Sequence, residues 1–154
     1  MALQFSTGYR NIAAAAVLGT PPASSVMDGC VIKVYAGSRP ADADAEVGSA
    51  VLLATYSLND TGSGLKWGDP TNGSVSKPPA DVWSATAVAS GAPAFFRYEL
   101  PDDDGTLSNT AVRIQGKVGL VTDPGADLAL SSLAIVNGAP LTIDAASATV
   151  PSSL

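Results

Sequence analysis

The chain has 154 residues, of which 46% are hydrophobic and 14% charged, and its net charge is −6. This balance excludes a disordered chain, and the length favours one domain with a single core. An acidic chain without a basic cluster is also not expected to bind nucleic acid through its phosphates.

Residues 1–28 differ from the rest and are predicted to form an N-terminal arm. Ser6 and Thr7 are typical helix caps, and the alanine-rich run 9–18 follows them and ends at Gly19. A Pro/Ala/Ser linker, 20–25, comes next. Because an isolated helix of about three turns is marginal in water, this one must dock on its own domain or on a neighbouring subunit. The expected interaction residues are Phe5, Tyr9, Arg10 and Leu18, with Trp67 further along the chain.

Residues 29–154 are predicted to form the β domain, because short apolar or alternating runs recur between turn formers. The predicted strands are 30–36, 50–58, 82–88, 95–100, 111–118, 128–130, 133–136 and 141–150, where 128–130 and 133–136 are two short strands or one bent strand. Cys30 and Trp83 are expected in the core. Asn137-Gly138 predicts a hairpin turn. The excursion 59–81 holds Trp67, which either anchors a partner or secures the loop to its own domain.

Two neighbouring runs organise the pattern. In 111–118, Val112, Ile114 and Val118 alternate with Arg113, Gln115 and Lys117, and 95–100 alternates in the same way around Arg97 and Glu99. Successive side chains of a strand point to opposite faces, so both runs predict a buried apolar face and a solvent-exposed polar face. The whole pattern predicts an all-β fold, an antiparallel β-sandwich or jelly-roll-like single domain with a short N-terminal helical arm.

The sequence favours no catalytic centre. It has no histidine and one cysteine, which excludes the common histidine-dependent arrangements and a structural zinc site. We expect no enzyme, no catalytic residue and no cofactor. Asp102, Asp103 and Asp104 form a weak calcium candidate, for which a solvated turn is the favoured alternative. No apolar run is long enough to span a bilayer, and no signal peptide is recognised, so we expect a soluble protein made in a cytoplasm and no membrane partner.

Several motifs in order resemble a group of small tailed-bacteriophage virion structural proteins. The matching segments are 3–12, 28–41, 43–45, 51–55, 90–97, 114–119 and 126–132, and they cover nearly the whole chain apart from the excursion 59–81. Tyr9 stands where an aliphatic residue is more usual in that group, and Cys30 where a small aliphatic one is. The motifs are fold signatures rather than chemical ones. The resemblance therefore implies a role in assembly rather than catalysis.

From this resemblance we expect a virion protein that is made in a host bacterium. The favoured function is a capsid decoration protein that stabilises the shell through repeated symmetric contacts. The alternative is a neck, collar or tail-associated subunit, and a carbohydrate- or receptor-binding module is a second alternative. Expected partners are the major capsid protein or neck and tail subunits, together with further copies of the chain. The position on the particle, the symmetry and the host stay open at this point.

Overall fold

The structure, a computed structural model, describes residues 3–19 and 27–149. Its elements are β1 (Gln4–Phe5), α1 (Thr7–Leu18), β2 (Val31–Ala36), β3 (Val51–Leu58), β4 (Ser74–Ser76), β5 (Trp83–Thr86), β6 (Phe95–Glu99), β7 (Arg113–Leu120), β8 (Leu128–Leu130), β9 (Pro140–Ile143) and β10 (Ser147–Thr149). The described chain is mostly β with one short helix, consistent with the all-β prediction. That helix is not long and apolar enough to cross a membrane.

Eight of the described strands form one sheet in the order β1-β7-β6-β2-β3-β5-β9, with β8 alongside β7. Neighbouring strands are antiparallel except β7 and β8, which run parallel. The two remaining strands, β4 and β10, pair with each other. The predicted pair β6–β7 lies inside the sheet, because β2 pairs with the other side of β6. This interior position places the side chains of β6 and β7 between neighbouring strands on both sides.

One face of the central strands carries the apolar core. Its buried side chains include Ile32, Val34, Ala54, Tyr56, Phe96 and Tyr98. Trp83 from β5 joins them with 1% of its surface exposed, and Cys30 is fully buried, as predicted for both residues. Burial of this face supplies the main hydrophobic contribution to the stability of the sheet.

The opposite face corrects the prediction of a solvent-exposed polar side. Arg97, Glu99, Arg113 and Gln115 are all buried, and among the predicted polar residues of β7 only Lys117 is partly exposed. The reason is a segment that we call the covering loop, residues 39–47, which lies over this face. Its carbonyl groups accept hydrogen bonds from buried donors: Arg97 Nη2 donates to one at 2.6 Å and Gln115 Nε2 to another at 3.0 Å. Burial of Arg97, Arg113 and Gln115 is offset by the hydrogen bonds that they donate within the protein, and burial of Glu99 by its ion pairs with Lys33 and Arg113. Arg97 Nη1 and the two Glu99 oxygens have no hydrogen-bond partner among the described residues.

The C-terminal half differs from the prediction in its pairing. Segment 133–136 is not a strand; its backbone makes an isolated bridge between Ile135 and Gly91. A turn does occur at Asn137–Gly138, but it makes no hairpin, because the next strand, β9, pairs with β5. The excursion 59–81 contains β4, whose partner β10 is separate from β9. The predicted end of the last strand, at residue 150, lies outside the described residues.

The N-terminus enters the same sheet before the helix begins. Strand β1 pairs with β7, and Ser6 then caps α1 by accepting a hydrogen bond from Tyr9 N at 3.1 Å, as the predicted cap requires. The Ser6 hydroxyl also accepts from Arg113 N at 2.9 Å and donates to Ala111 O at 2.7 Å. The start of the predicted arm is therefore fixed to the β domain. The predicted linker, 20–25, lies outside the described residues.

Candidate functional site

The largest group of charged side chains lies beneath the covering loop, and we call it the ionic cluster: Lys33, Arg97, Glu99, Asp103 and Arg113. Arg113 Nη2 lies 2.6 Å from Asp103 Oδ1, and its Nε lies 3.7 Å from Glu99 Oε2. Lys33 Nζ lies 3.1 Å from Glu99 Oε1 and donates to the Asp103 carbonyl oxygen at 2.6 Å. These contacts connect three neighbouring strands to the loop that follows β6.

Burial and pairing shift the pKa values in this cluster in different directions. Burial, reinforced by the negative charge of Asp103, raises the pKa of Glu99 despite the nearby Lys33. Burial opposes the ionisation of Asp103 as well, but hydrogen bonds from Arg113 and from Gly105 N hold its pKa below the usual value. Burial also lowers the pKa of Arg97. Asp103 is thus the carboxylate that this site holds best in its charged form.

The ionic cluster links the sheet to the covering loop. Arg97 and Arg113 donate to carbonyl groups of the covering loop, with Arg113 Nη1 lying 3.5 Å from both Ala43 O and Asp44 O. Asp44 in turn accepts from Thr7 N at 2.7 Å, which ties the covering loop to the start of α1. The cluster therefore holds together the sheet, the covering loop and the helix.

The calcium candidate, Asp102–Asp104, is largely committed to internal contacts. Asp103 is paired with Arg113, and Asp104 Oδ1 accepts from the backbone and hydroxyl of Thr106 at 3.0 and 2.7 Å. Of these three carboxylates, only that of Asp102 is exposed and makes no hydrogen bond to a residue that the structure describes. Within residues 3–19 and 27–149, no group of three or more acidic, histidine or cysteine side chains is placed to hold a metal ion.

Four of the predicted interaction residues lie on or beside α1. The rings of Phe5 and Tyr9 stack with centroids 4.8 Å apart. Arg10 is exposed, and its Nη2 donates to Thr7 Oγ1 at 2.9 Å. Leu18 has 87% of its surface exposed. The structure thus brings Phe5 and Tyr9 together at the first turn, and places Leu18 at the other end of the helix.

The fifth predicted interaction residue, Trp67, contacts its own domain. Its indole Nε1 donates to Tyr98 Oη at 3.1 Å, and its ring meets Trp83 edge-on with centroids 5.2 Å apart. Half-buried against the core, the side chain secures the excursion 59–81 to the sheet. These contacts agree with the interpretation that Trp67 secures the loop to its own domain. We therefore leave Trp67 out of the candidate interface.

A shallow groove of about 370 Å³ lies next to α1. Leu100, Leu107 and Val112 supply its apolar lining, and Asp102 and Asp104 lie at its polar side. Sequence reasoning did not find this groove, because it is formed by the loop between β6 and β7. It did not find the ionic cluster either, although Lys33, Arg97 and Arg113 fall on one sheet face once the strand pairing is known.

Comparison with known proteins adds no relative. No protein-family model, curated protein or solved structure matches the chain.

Proposed function

We propose that this protein is a non-enzymatic structural subunit of a tailed-bacteriophage particle, and that it decorates the capsid. Such a protein binds only the assembled lattice, and whatever binds only the assembled state stabilises that state by mass action. Repeated weak contacts then add up over the shell. The proposal rests on the motif resemblance together with one feature of the structure.

That feature is the exposed apolar second half of α1. Val17 and Leu18 are 80% and 87% exposed, and only Gly8 of the whole helix is buried. Residues 13–18 are four alanines, a valine and a leucine, and the helix has no acidic residue in its first turn and no basic one in its last. A short helix whose apolar end faces water gains stability when that end is covered by a partner.

The proposal includes the finer description of the fold, a β-sandwich of jelly-roll type. Support comes from the central strands, whose two faces are both buried. Strands from both halves of the sheet contribute to one core, since Trp83 of β5, Ile143 of β9 and Val118 of β7 belong to the same cluster. A core shared by two packed layers is what a sandwich requires.

The direct test is the copy number per particle, by quantitative mass spectrometry of purified virions against the major capsid protein. Decoration predicts hundreds of copies, on the scale of the shell subunit. A count of about six to a few tens, as expected from closed cyclic symmetry, would place the protein in the neck or tail instead. Absence from the particle would refute both positions.

A second test separates the apolar helix end from the rest of the surface. Replacing Leu18 with Asp should lower incorporation into particles while the purified protein stays folded, because this side chain makes few contacts in its own domain. Val121→Asp, at an exposed site beyond β7, is the matched control. These substitutions are preferable to deletion of residues 1–20, since Ser6 and the first turn are built into the sheet.

A further inference from the structure

Helix α1 and the groove beside it form one continuous surface. Gly8 lies directly against the backbone of Thr110 and Ala111, so closely that a Cβ atom at residue 8 would come within 2.3 Å of Thr110 O. Ala111 also lines the groove, together with the exposed Leu107. The first turn of the helix and the groove are thus joined through residues 110–111.

Both parts of this surface expose apolar side chains, and they differ in charge. On the helix the only charged side chain is Arg10, which is exposed and forms no ion pair with any residue that the structure describes. At the groove, Asp102 and Asp104 are exposed, and so is Leu107, with 75% of its surface. The helix is therefore an apolar element with one positive charge, and the groove is a mixed polar and apolar depression with two exposed carboxylates and an exposed leucine.

Opposite charges and exposed apolar side chains are thus present on two neighbouring parts of a single chain. We propose that two copies pair about a twofold axis, with α1 of each copy lying in the groove of the other. A twofold interface uses the same patch on both subunits, so helix and groove must be close together on the surface, as they are here. The pairing would cover Leu18 and Leu107 and would place Arg10 near Asp102. This inference rests on the proposed function, since both take the N-terminal surface as an interface.

A second copy is favoured over an unrelated partner because both complementary halves are already on this chain. An unrelated protein would need to bring its own cation to the groove and its own apolar surface to the helix. In a twofold dimer the contact between helix and groove forms twice, once in each direction. The interface therefore buries twice the area of a single helix-to-groove contact.

The test is sedimentation equilibrium of the purified full chain over a range of concentrations. Wild-type protein should be a dimer, and Arg10→Glu and Leu107→Asp should each raise the dissociation constant at least about tenfold. Lys66→Glu makes the same change in net charge at an exposed site in the excursion and should leave it unchanged. Combining Arg10→Glu with Asp102→Arg should restore pairing, because the charges are exchanged.

Three results would overturn the pairing: a monomer at every concentration up to the solubility limit, a closed oligomer larger than a dimer, or a dimer unaffected by Arg10→Glu and Leu107→Asp. Far-UV circular dichroism shows whether each variant is folded, and the charge-exchange variant guards against a loss caused by misfolding alone. The outcome is independent of the virion test. A monomer that is abundant in particles overturns the pairing and leaves the proposed function standing. A dimer that is absent from particles supports the pairing and overturns the proposed function.

Discussion

Asp103 is the surface-loop residue on which the fold should depend most. Its carboxylate accepts from Arg113 Nη2 at 2.6 Å, from Arg113 Nε at 2.7 Å and from Gly105 N at 2.9 Å. Removing one partner of a buried ion pair costs about 3–5 kcal/mol, because the remaining charge is left buried without compensation. In Asp103→Asn the Arg113 guanidinium still has a carboxylate partner, because its Nε lies 3.7 Å from Glu99 Oε2. We therefore expect a loss at the lower end, about 3 kcal/mol.

The measurement is urea unfolding at pH 7, followed by the fluorescence of Trp67 and Trp83. A domain of this size has a total stability of about 5–15 kcal/mol, so the expected loss shifts the midpoint clearly. Asp102→Asn is the matched control, because it makes the same chemical change at the neighbouring exposed residue and should alter stability by no more than about 0.5 kcal/mol. A loss in Asp103→Asn as small as about 1 kcal/mol, the range of an exposed pair, would refute the argument.

The pH dependence tests the same contact independently. The pKa of Asp103 lies below its usual value in the folded protein, because hydrogen bonds from Arg113 and Gly105 outweigh the effect of burial. A carboxyl group of this kind contributes stability that is present above its unfolded pKa, about 3.9, and is lost as pH falls through the folded pKa. Below about pH 4 the wild type should therefore lose stability more steeply than Asp103→Asn. Equal slopes would contradict the assignment.

Three further predictions concern single side chains. Gly8→Ala should lower the free energy of unfolding by about 1–3 kcal/mol although alanine favours helix, because the new Cβ would meet Thr110 O. Asn11→Ala, on the exposed side of α1, should raise the free energy of unfolding slightly. The urea midpoints of the two variants show the contrast. Trp67→Phe should cost about 1 kcal/mol through loss of its indole hydrogen bond, measured in the same assay. Burial raises the pKa of the Cys30 thiol to about 12, so a thiol reagent at pH 8 should modify it only on unfolding.

The alternation of side chains predicts the strands of the sheet centre well. Segments 30–36, 50–58, 95–100 and 111–118 correspond to β2, β3, β6 and β7 within one or two residues at most ends. Local signals also give the helix start, because Ser6 is a cap in the structure as in the sequence. These features depend on neighbouring residues, and a short window of sequence contains them.

The environment of the polar face could not be predicted in the same way. Alternation shows that Arg113 and Gln115 share a face, but it does not show whether that face meets water or another part of the chain. The covering loop decides this, and it comes about 50 residues before Arg97 in sequence, as the contact with Ala45 shows. The carbonyl groups of the covering loop accept hydrogen bonds that water would otherwise accept. Arg97, Arg113 and Gln115 can therefore be buried while the sequence keeps the alternation typical of an exposed face.

The pairing of the last strands depends on distant contacts as well. Asn137–Gly138 forms the expected turn, but the strand that follows it, β9, pairs with β5 rather than with segment 133–136. Turn chemistry fixes a change of direction but not the strand that lies alongside afterwards. For the candidate site, the exposure of Leu18 agrees with an interaction role, whereas Trp67 could be judged only from its contact with Tyr98.

The burial of Lys33, Arg97 and Arg113 bears on which partner can cover α1. With these three bases and the buried carboxylates of Glu99 and Asp103 inside, five bases and twelve acids stay outside the core, so the surface is slightly more acidic than the net charge of −6 indicates. Two copies therefore repel each other at long range, and added salt screens both this repulsion and the attraction between Arg10 and Asp102, so their association should depend little on salt. A partner with a basic surface would be attracted at long range and would dissociate as salt is added. The salt dependence of binding thus distinguishes a second copy of the chain from a basic shell protein at the same surface.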